Sequence, residues 1–431
     1  METKTVKFTN PTLRGELKVP GDKSISHRAV MLGSIAAGKT TISGFLPGED
    51  CLCTIDIFRK LGVTIEREGD QVSIDSPGID GWKTPDVPLY AGNSGTTARL
   101  MLGILAGSKV QSTLTGDAYL SKRPMKRVIA PLEKMGASIT GEGDANYLPL
   151  TIIGQQLNSI QYEMPIASAQ VKSGILFGAL QAEGETSVIE KTGSRDHTER
   201  MLRQFGAEIE TNDNEICLKG QQALKSCDVI VPGDISSAAF FMAAAAIVPE
   251  SEISFINVGL NPSRTGMIDV MREMGVTVEI VDQKGENGEP YGTVTVKSAK
   301  LHGTEIGGDM IPRLIDELPI IALMATQATG KTIIKDAEEL RVKETDRIAA
   351  VTSELKKLGA TVEETEDGMI ITGPSKLSGA TLQSYGDHRI GMMSAIAALV
   401  SDGPVQIEDP SCIAVSYPNF FDDLYRLTGR S

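Results

Sequence analysis

Apolar residues fall at steps of three and four in several stretches, the spacing of a helix that buries one face. Met125, Val128, Ile129 and Leu132 show it, as do Met267, Val270, Met271 and Met274, and again Ile348, Val351, Leu355 and Leu358. Such helices run into one phrase: an apolar end, a glycine, a small residue or valine, then a strand-like run. It reads Leu61-Gly62-Val63, Met135-Gly136-Ala137, Phe205-Gly206-Ala207, Met274-Gly275-Val276 and Leu358-Gly359-Ala360, with the glycines 74, 70, 69 and 84 residues apart. Each glycine stands where a helix ends and the left-handed conformation is wanted.

A second phrase interleaves with the first: a short apolar strand, a glycine with Asp or Asn, then a helix rich in small residues. Its starts are Gly21, Gly92, Gly233, Gly308 and Gly386, with a degenerate copy at Ala167, and they lie 71, 75, 66, 75 and 78 residues apart. Together the phrases predict six units of about seventy residues, each with two helices and about four strands. The helices of the second phrase, such as Ala238 to Ala246 and Met392 to Leu399, are apolar nearly all round, and helices of that kind are buried. Their Asp or Asn can cap the first turn. Three such helices packed in parallel in each of two domains would turn their positive ends to one face, an anion trap built from backbone. A duplicated scaffold whose repeats serve only stability is the alternative.

Composition narrows the field. The chain has 431 residues, too many for one core, so two domains are expected. Its 41% hydrophobic and 23% charged content is ordinary for a soluble globular protein. No apolar run approaches the roughly 20 residues of a membrane span, and no secretion signal is seen. The five cysteines are scattered and odd in number, which fits a reducing cytoplasm and not a disulfide framework. Four histidines without zinc-site spacing predict no metal. A net charge of −14 argues against nucleic acid as a partner, so a small anionic ligand would need a local basic patch.

That patch is visible. Arg341, Lys343, Glu344, Asp346 and Arg347 crowd into seven positions ahead of the apolar pattern from Ile348, which places Lys343 to Arg347 in a first turn. Cations there oppose the helix dipole unless an anionic ligand intervenes; a solvated charge run is the plainer account. Lys23, Ser24 and Arg28 repeat the offence at the first buried helix, Arg389 at the last. Gly92 to Arg99 offers small residues and close-approach glycines, and Arg99 either binds ligand or fixes a loop. Lys122 and Arg123 precede a proline suited to a helix start. Ser168, Gln170 and Lys172 add a hydroxyl, an amide and a cation, and Arg195 another cation, with His197 more often structural in such a place. Asp316 and Glu317 set carboxylates in an apolar segment, where burial and nearby cations pull their pKa in opposite directions. Gly33 to Thr40 matches the phosphate-binding loop pattern, but follows a helix and leads into a strand, the reverse of what that loop requires.

These motifs resemble the enolpyruvyl transferase family over essentially the whole chain. The most specific are Gly92-Asn93-Ser94-Gly95-Thr96-Thr97-Ala98-Arg99 and Arg341-Val342-Lys343-Glu344-Thr345-Asp346-Arg347. Gly21 to Ser24, Ser168 to Lys172, Arg195 to Glu199 and Asn261-Pro262-Ser263-Arg264 look like its class II subgroup, with Ser263 where Thr is usual. The resemblance implies a two-domain inside-out α/β barrel of six βαβαββ repeats, three per domain, with buried parallel helices and a substrate cleft between the domains. One domain would span 20–229, the other 1–19 with 230–431. The implied reaction moves the enolpyruvyl group of phosphoenolpyruvate to the 5-hydroxyl of shikimate 3-phosphate and releases phosphate, in a cytoplasmic monomer without cofactor or metal. By resemblance Glu344 is the acid at the methylene, Asp316 the base, and Lys23 bridges both substrates. Lys23, Gly95, Arg123, Gln170, Arg347 and Arg389 would hold phosphoenolpyruvate. Lys23, Ser24, Arg28, Ser168, Ala169, Gln170, Arg195, Asp316 and Lys343 would hold shikimate 3-phosphate. Many members carry a lysine near the C-terminus where this chain has Val415. A sister activity on UDP-N-acetylglucosamine is the nearest rival, but it goes with Lys-Asn early in the chain and a reactive loop Cys, and here Lys23-Ser24 and a Cys-free loop at Lys122-Arg123 stand instead. A non-catalytic anion-binding scaffold is the rival of another kind, against which Lys23, Asp316 and Glu344 speak.

Overall fold

The computed structural model describes residues 2–285 and 288–429. The six helices without a polar face are α1 (Lys23–Ile35), α2 (Gly95–Ala106), α3 (Ala169–Ala179), α4 (Ile235–Ile247), α5 (Leu318–Thr326) and α6 (His388–Ala397). They go inside because every face is apolar: in α4, Ile235 through Ala246 are all buried. Five are capped by a side chain. Asp22 accepts from the Ile25 amide at 2.9 Å, Ser94 from Thr97 at 3.0 Å, Ser168 from Val171 at 3.5 Å, Asp234 from Ser236 at 2.9 Å and Asp387 from Arg389 at 2.8 Å.

Two starts differ from the sequence pattern. In α2 the cap is Ser94, because Asn93 spends its side chain on Asp117 and Arg123. At Gly308 the chain first makes a 3-10 turn, Gly308–Met310, and a short helix, Ile311–Leu314, so α5 begins only at Leu318. Pro319 sits in its first turn, where a missing N–H costs no intrahelical bond.

The amphipathic helices lie outside these, and their terminal glycines behave as expected. Gly62, Gly136, Gly206, Gly275 and Gly359 have φ of +94°, +93°, +85°, +96° and +93°. A sixth outer helix, Phe420–Leu427, reaches Gly429 at φ +66°. Among the described residues no strand follows it, so the phrase was not legible there.

Strands obey one rule. The strand leaving a buried helix takes a parallel neighbour on one side and an antiparallel hairpin on the other. Thus Ala37–Ser43 pairs in parallel with Asp228–Ile230 and antiparallel with Gln71–Pro77, which pairs with Thr64–Glu68. Gln111–Thr115, Glu185–Ile189, Glu252–Gly259 and Gly330–Ile334 centre four-stranded sheets of the same order. The sixth sheet departs: Val405–Glu408 takes Thr381–Gln383 in parallel, but its antiparallel partner is Thr3–Val6 from the other end of the chain. Gly33 lies in α1 and Lys39 and Thr40 in the next strand, which removes the phosphate-loop reading.

The chain forms two compact units, each with its own hydrophobic core. One comprises Gly21–Val231 and a short segment ending at Glu289; the other comprises the chain before Gly21, Pro232–Gly285 and the chain from Pro290 on. Among the described residues no helix is long and apolar enough to cross a membrane, and no group of three ligating side chains is placed for a metal.

Candidate active site

In the unit holding Gly21–Val231, side chains lace together the first turns of α1, α2 and α3. Lys23 opens α1, and its ammonium pairs with Asp50 in the first turn of the helix Glu49–Lys60. Ser24 follows, half-buried. Arg28, one turn on, is buried and donates from Nε to Thr198 Oγ1 at 2.7 Å, from Nη1 to the Ser24 carbonyl at 3.0 Å and from Nη2 to Ser173 Oγ at 2.7 Å. Burial pulls its guanidinium down to about 10, while Glu199 and Asp22 pull it back.

Gly95 opens α2, with two guanidiniums against it. A Cβ added there would stand 2.8 Å from Arg99 Nη1 and 3.6 Å from Arg123 Nη1. Arg99 proves to be the fixing residue: it donates to Gln170 Oε1 at 2.7 Å and to the Pro124 carbonyl at 3.3 Å, while Gln170 Nε2 donates to Thr96 Oγ1 at 3.1 Å. Arg123 is steered by Asn93 Oδ1 at 3.0 Å. Two cations beside bare helix amides make a seat for an anionic oxygen. Ser168 caps α3, Ala169 and Gln170 are its first residues, and all three are half-buried. Arg195, also half-buried, lies just before the helix His197–Gln204.

Two expectations are corrected here. Lys172 is no ligand cation: it is 1% exposed, bonded to Glu190 at 2.8 Å and Glu199 at 2.6 Å. Burial works to lower its ammonium, but Glu199 and Glu190 outweigh that and hold it raised. Arg341 is also paired within the protein while remaining partly exposed, donating to Asp346, Glu364 and two carbonyls. His197 is structural, 2.6 Å from Glu289 and buried.

A buried polar chain runs under this half. His27 Nδ1 lies 2.8 Å from Thr54 Oγ1, Thr54 bonds Thr97 at 2.8 Å, and Thr97 donates to the cap Ser94 at 2.8 Å. Burial lowers the His27 imidazole from 6.5 to about 3, with Lys23 and Arg28 also lowering it and Asp50 opposing. Native protein therefore keeps His27 neutral where the unfolded chain protonates it. Its penalty is absent above pH 6.5 and grows as pH falls toward 3, reaching about 2 kcal/mol at pH 5. We expect His27→Asn to lose less stability than the native chain between pH 7 and 5, measured by urea midpoints. Parallel losses would show that His27 does not titrate this way.

The other unit carries the carboxylates. The helix Arg347–Lys357 is capped by Asp346, so its first turn holds Arg347 alone of the expected residues; Lys343 and Glu344 precede it. The 3-10 turn Glu338–Val342 diverts the chain before that point, leaving Lys343 3.3 Å from Glu339. Arg347 is 1% exposed and binds three carboxylates: Asp387 from Nε at 2.8 Å, Asp316 from Nη1 at 3.2 Å and Glu344 from Nη2 at 2.6 Å. Burial works to lower its pKa, and Glu344, Asp387 and Asp316 more than reverse that. Arg389, in the first turn of α6, donates to the Asp316 carbonyl at 3.1 Å and lies 3.6 Å from its Oδ2. Asp316 and Glu344 thus share one guanidinium, with a second cation alongside. Val415 ends a 3-10 turn, half-buried, and offers no donor.

Sequence reasoning missed Asp50, the hold of Asn93 on Arg123 and the second role of Asp387. Asp50 stands as an ordinary acid in the first turn of its helix, and nothing local points to Lys23. Asp387 was legible as a cap, though not as the buried partner of Arg347.

Residues 9–424 match the family described as EPSP synthase (3-phosphoshikimate 1-carboxyvinyltransferase). The 3-phosphoshikimate 1-carboxyvinyltransferase of Bacillus velezensis is 55% identical over 421 residues, covering 97% of this chain and 98% of that protein. The enzyme of that name from Bacillus subtilis gives the same figures. A solved EPSP synthase from Acinetobacter baumannii superposes with a TM-score of 0.92 at 44% identity, over 100% of this chain and 99% of that one. The enolpyruvyl transferase NikO from Streptomyces tendae, at 17% identity and a TM-score of 0.80 over 98% and 96% of the two chains, shares the fold.

Proposed function

This chain belongs to the EPSP synthase family, and on that premise we propose how its residues carry out the family's reaction. The reaction transfers the enolpyruvyl group of phosphoenolpyruvate to the 5-hydroxyl of shikimate 3-phosphate and releases phosphate. The observation that carries the assignment is the pairing of Asp316 and Glu344 on buried Arg347, beside Arg389. Glu344 gives a proton to the methylene carbon while the hydroxyl oxygen bonds to C2 and yields its proton to Asp316. The tetrahedral intermediate then returns a methyl proton to Glu344, the C2–O bond breaks, and phosphate leaves with the bonding pair and, by way of solvent, the proton from Asp316. Lys23 offsets the charge that builds on the intermediate.

Phosphoenolpyruvate is assigned to Lys23, Gly95, Arg123, Gln170, Arg347 and Arg389. Shikimate 3-phosphate is assigned to Lys23, Ser24, Arg28, Ser168, Ala169, Gln170, Arg195, Asp316 and Lys343. Arg28 contributes its two remaining N–H groups, since three of five are spent inside the protein. The two compact units are read as the two domains, 20–229 and 1–19 with 230–431, of a cytoplasmic monomer.

The test is phosphate release from purified protein given phosphoenolpyruvate with shikimate 3-phosphate or with UDP-N-acetylglucosamine. Release with the first alone is the expected result. Release with the sugar nucleotide alone overturns the substrate, and release with neither overturns the activity. Gly95→Ala tests the anion seat. Its methyl would push on Arg99 and reach Arg123, so KM for phosphoenolpyruvate should rise about ten- to a hundredfold with shikimate 3-phosphate affinity unchanged. An unchanged KM would remove Gly95 from the seat.

A further inference from the structure

The motif Asn261-Pro262-Ser263-Arg264 has no part in the reaction as described, yet its first and last side chains are buried. Asn261 and Arg264 are 2% and 3% exposed. The turn is locked internally: Asn261 Oδ1 accepts from the Ser263 amide at 2.9 Å and hydroxyl at 2.7 Å, and the Asn261 carbonyl accepts from the Arg264 amide at 2.8 Å.

From this turn two arms reach the residues on either side of Asp316. Upstream, Arg313 of the helix Ile311–Leu314 donates to the Pro262 carbonyl at 2.8 Å and to Asp269 at 2.7 Å. Downstream, Arg264 donates from Nη2 to Ser236 Oγ at 2.7 Å and to Asp234 Oδ1 at 3.1 Å, and the Ser236 hydroxyl bonds Glu317 Oε1. The direction of that relay is fixed. A guanidinium can only donate, so Ser236 accepts from Arg264 and its single O–H goes to Glu317. Glu317 is 0% exposed and makes no cap bond to its own helix α5. Its carboxylate reaches Ser236 at the start of α4. Asp316 is the residue suspended between these anchors, presenting its side chain to Arg347 and Arg389.

We propose that Arg264 is a positioning residue for Asp316, acting through Ser236 and Glu317. The proposal rests on the reading of Asp316 as the base. Arg264 touches no reacting atom; it fixes the backbone from which Asp316 meets the substrate hydroxyl, where a displacement of about 1 Å is costly.

The test compares Arg264→Met, Ser236→Ala and Arg264→Lys, each alone and combined with Asp316→Asn. Arg264→Met should lower kcat about tenfold or more, with the Kd for shikimate 3-phosphate within about twofold of native. Ser236→Ala removes only the relay hydroxyl and serves if Arg264→Met does not fold; a loss of about three- to tenfold is expected. Arg264→Lys should restore part of the lost turnover. The decisive reading is the double variant: once Asp316 is Asn, Ser236→Ala should lower kcat no further. A full multiplicative loss there, native turnover in Ser236→Ala, or loss of kcat and substrate affinity in equal measure would overturn the proposal. Native turnover in Asp316→Asn alone would instead overturn the base assignment, and the proposal with it.

Discussion

Replacing Arg347 by methionine is expected to weaken the unit that holds it by about 3–5 kcal/mol. The guanidinium is 1% exposed and is shared by Asp316, Glu344 and Asp387, the last fully buried. Removing it leaves three carboxylates facing one another, with no water to take up the charge of Asp387. A lower urea midpoint, read by a probe in that unit, measures the loss. Arg347→Lys separates structure from chemistry, because lysine keeps the charge but not the planar fork that serves three acceptors at once. It should fold, with turnover lowered about a hundredfold or more. A lysine variant with native turnover would mean that charge alone suffices and that the fork does not set the spacing of the two carboxylates.

Glu344→Gln should cut kcat by about 10²- to 10⁴-fold while shikimate 3-phosphate binds within about twofold of native. Glu344 is about one-third exposed and lies 2.6 Å from Arg347 Nη2, a contact that the glutamine amide oxygen can keep. What glutamine lacks is a proton to give to the methylene carbon and a carboxylate to take it back. Washout of deuterium from labelled phosphoenolpyruvate in the presence of both substrates reads this directly, and it should slow in step with turnover. Equal losses of binding and turnover would make Glu344 a structural residue held by Arg347.

The period of the fold was legible because it is written in local chemistry. Glycines ending outer helices and acids or serines opening buried ones need only a few neighbours to act, so they survive as readable phrases. The fifth start was misplaced by ten residues, because Gly308-Asp309 has the form of a cap while Pro319 marks the true first turn. Cations at helix starts pointed to the site, but the same signal marked Lys172 and Arg341, which are neutralised by the protein's own carboxylates. The partners that neutralise them are brought from elsewhere in the chain, Glu190 and Glu199 for Lys172 and Glu364 for Arg341, just as Asp316 and Asp387 are for Arg347. Pairings over such distances leave no spacing to read. Arg264 shows the same limit, since its motif, the cap at Asp234 and the carboxylate of Glu317 each stood out in the sequence while their connection through Ser236 did not.

The sixth sheet, closed by strand Thr3–Val6 on Val405–Glu408, bears on how the chain matures during translation. Arg14–Leu17 likewise awaits Glu252–Phe255. The stretch from Gly21 has most of its described partners once Asp228–Ile230 leaves the ribosome and completes the sheet of Ala37–Ser43; the clasp of His197 on Glu289 comes later. Strand Thr3–Val6 is therefore the last satisfied: its N–H and C=O groups stay without their sheet partners while some four hundred residues are added, and those of Arg14–Leu17 while about 240 are. Vectorial synthesis sets the order, with the stretch Gly21–Val231 consolidating first and the pairing of Thr3–Val6 with Val405–Glu408 coming last.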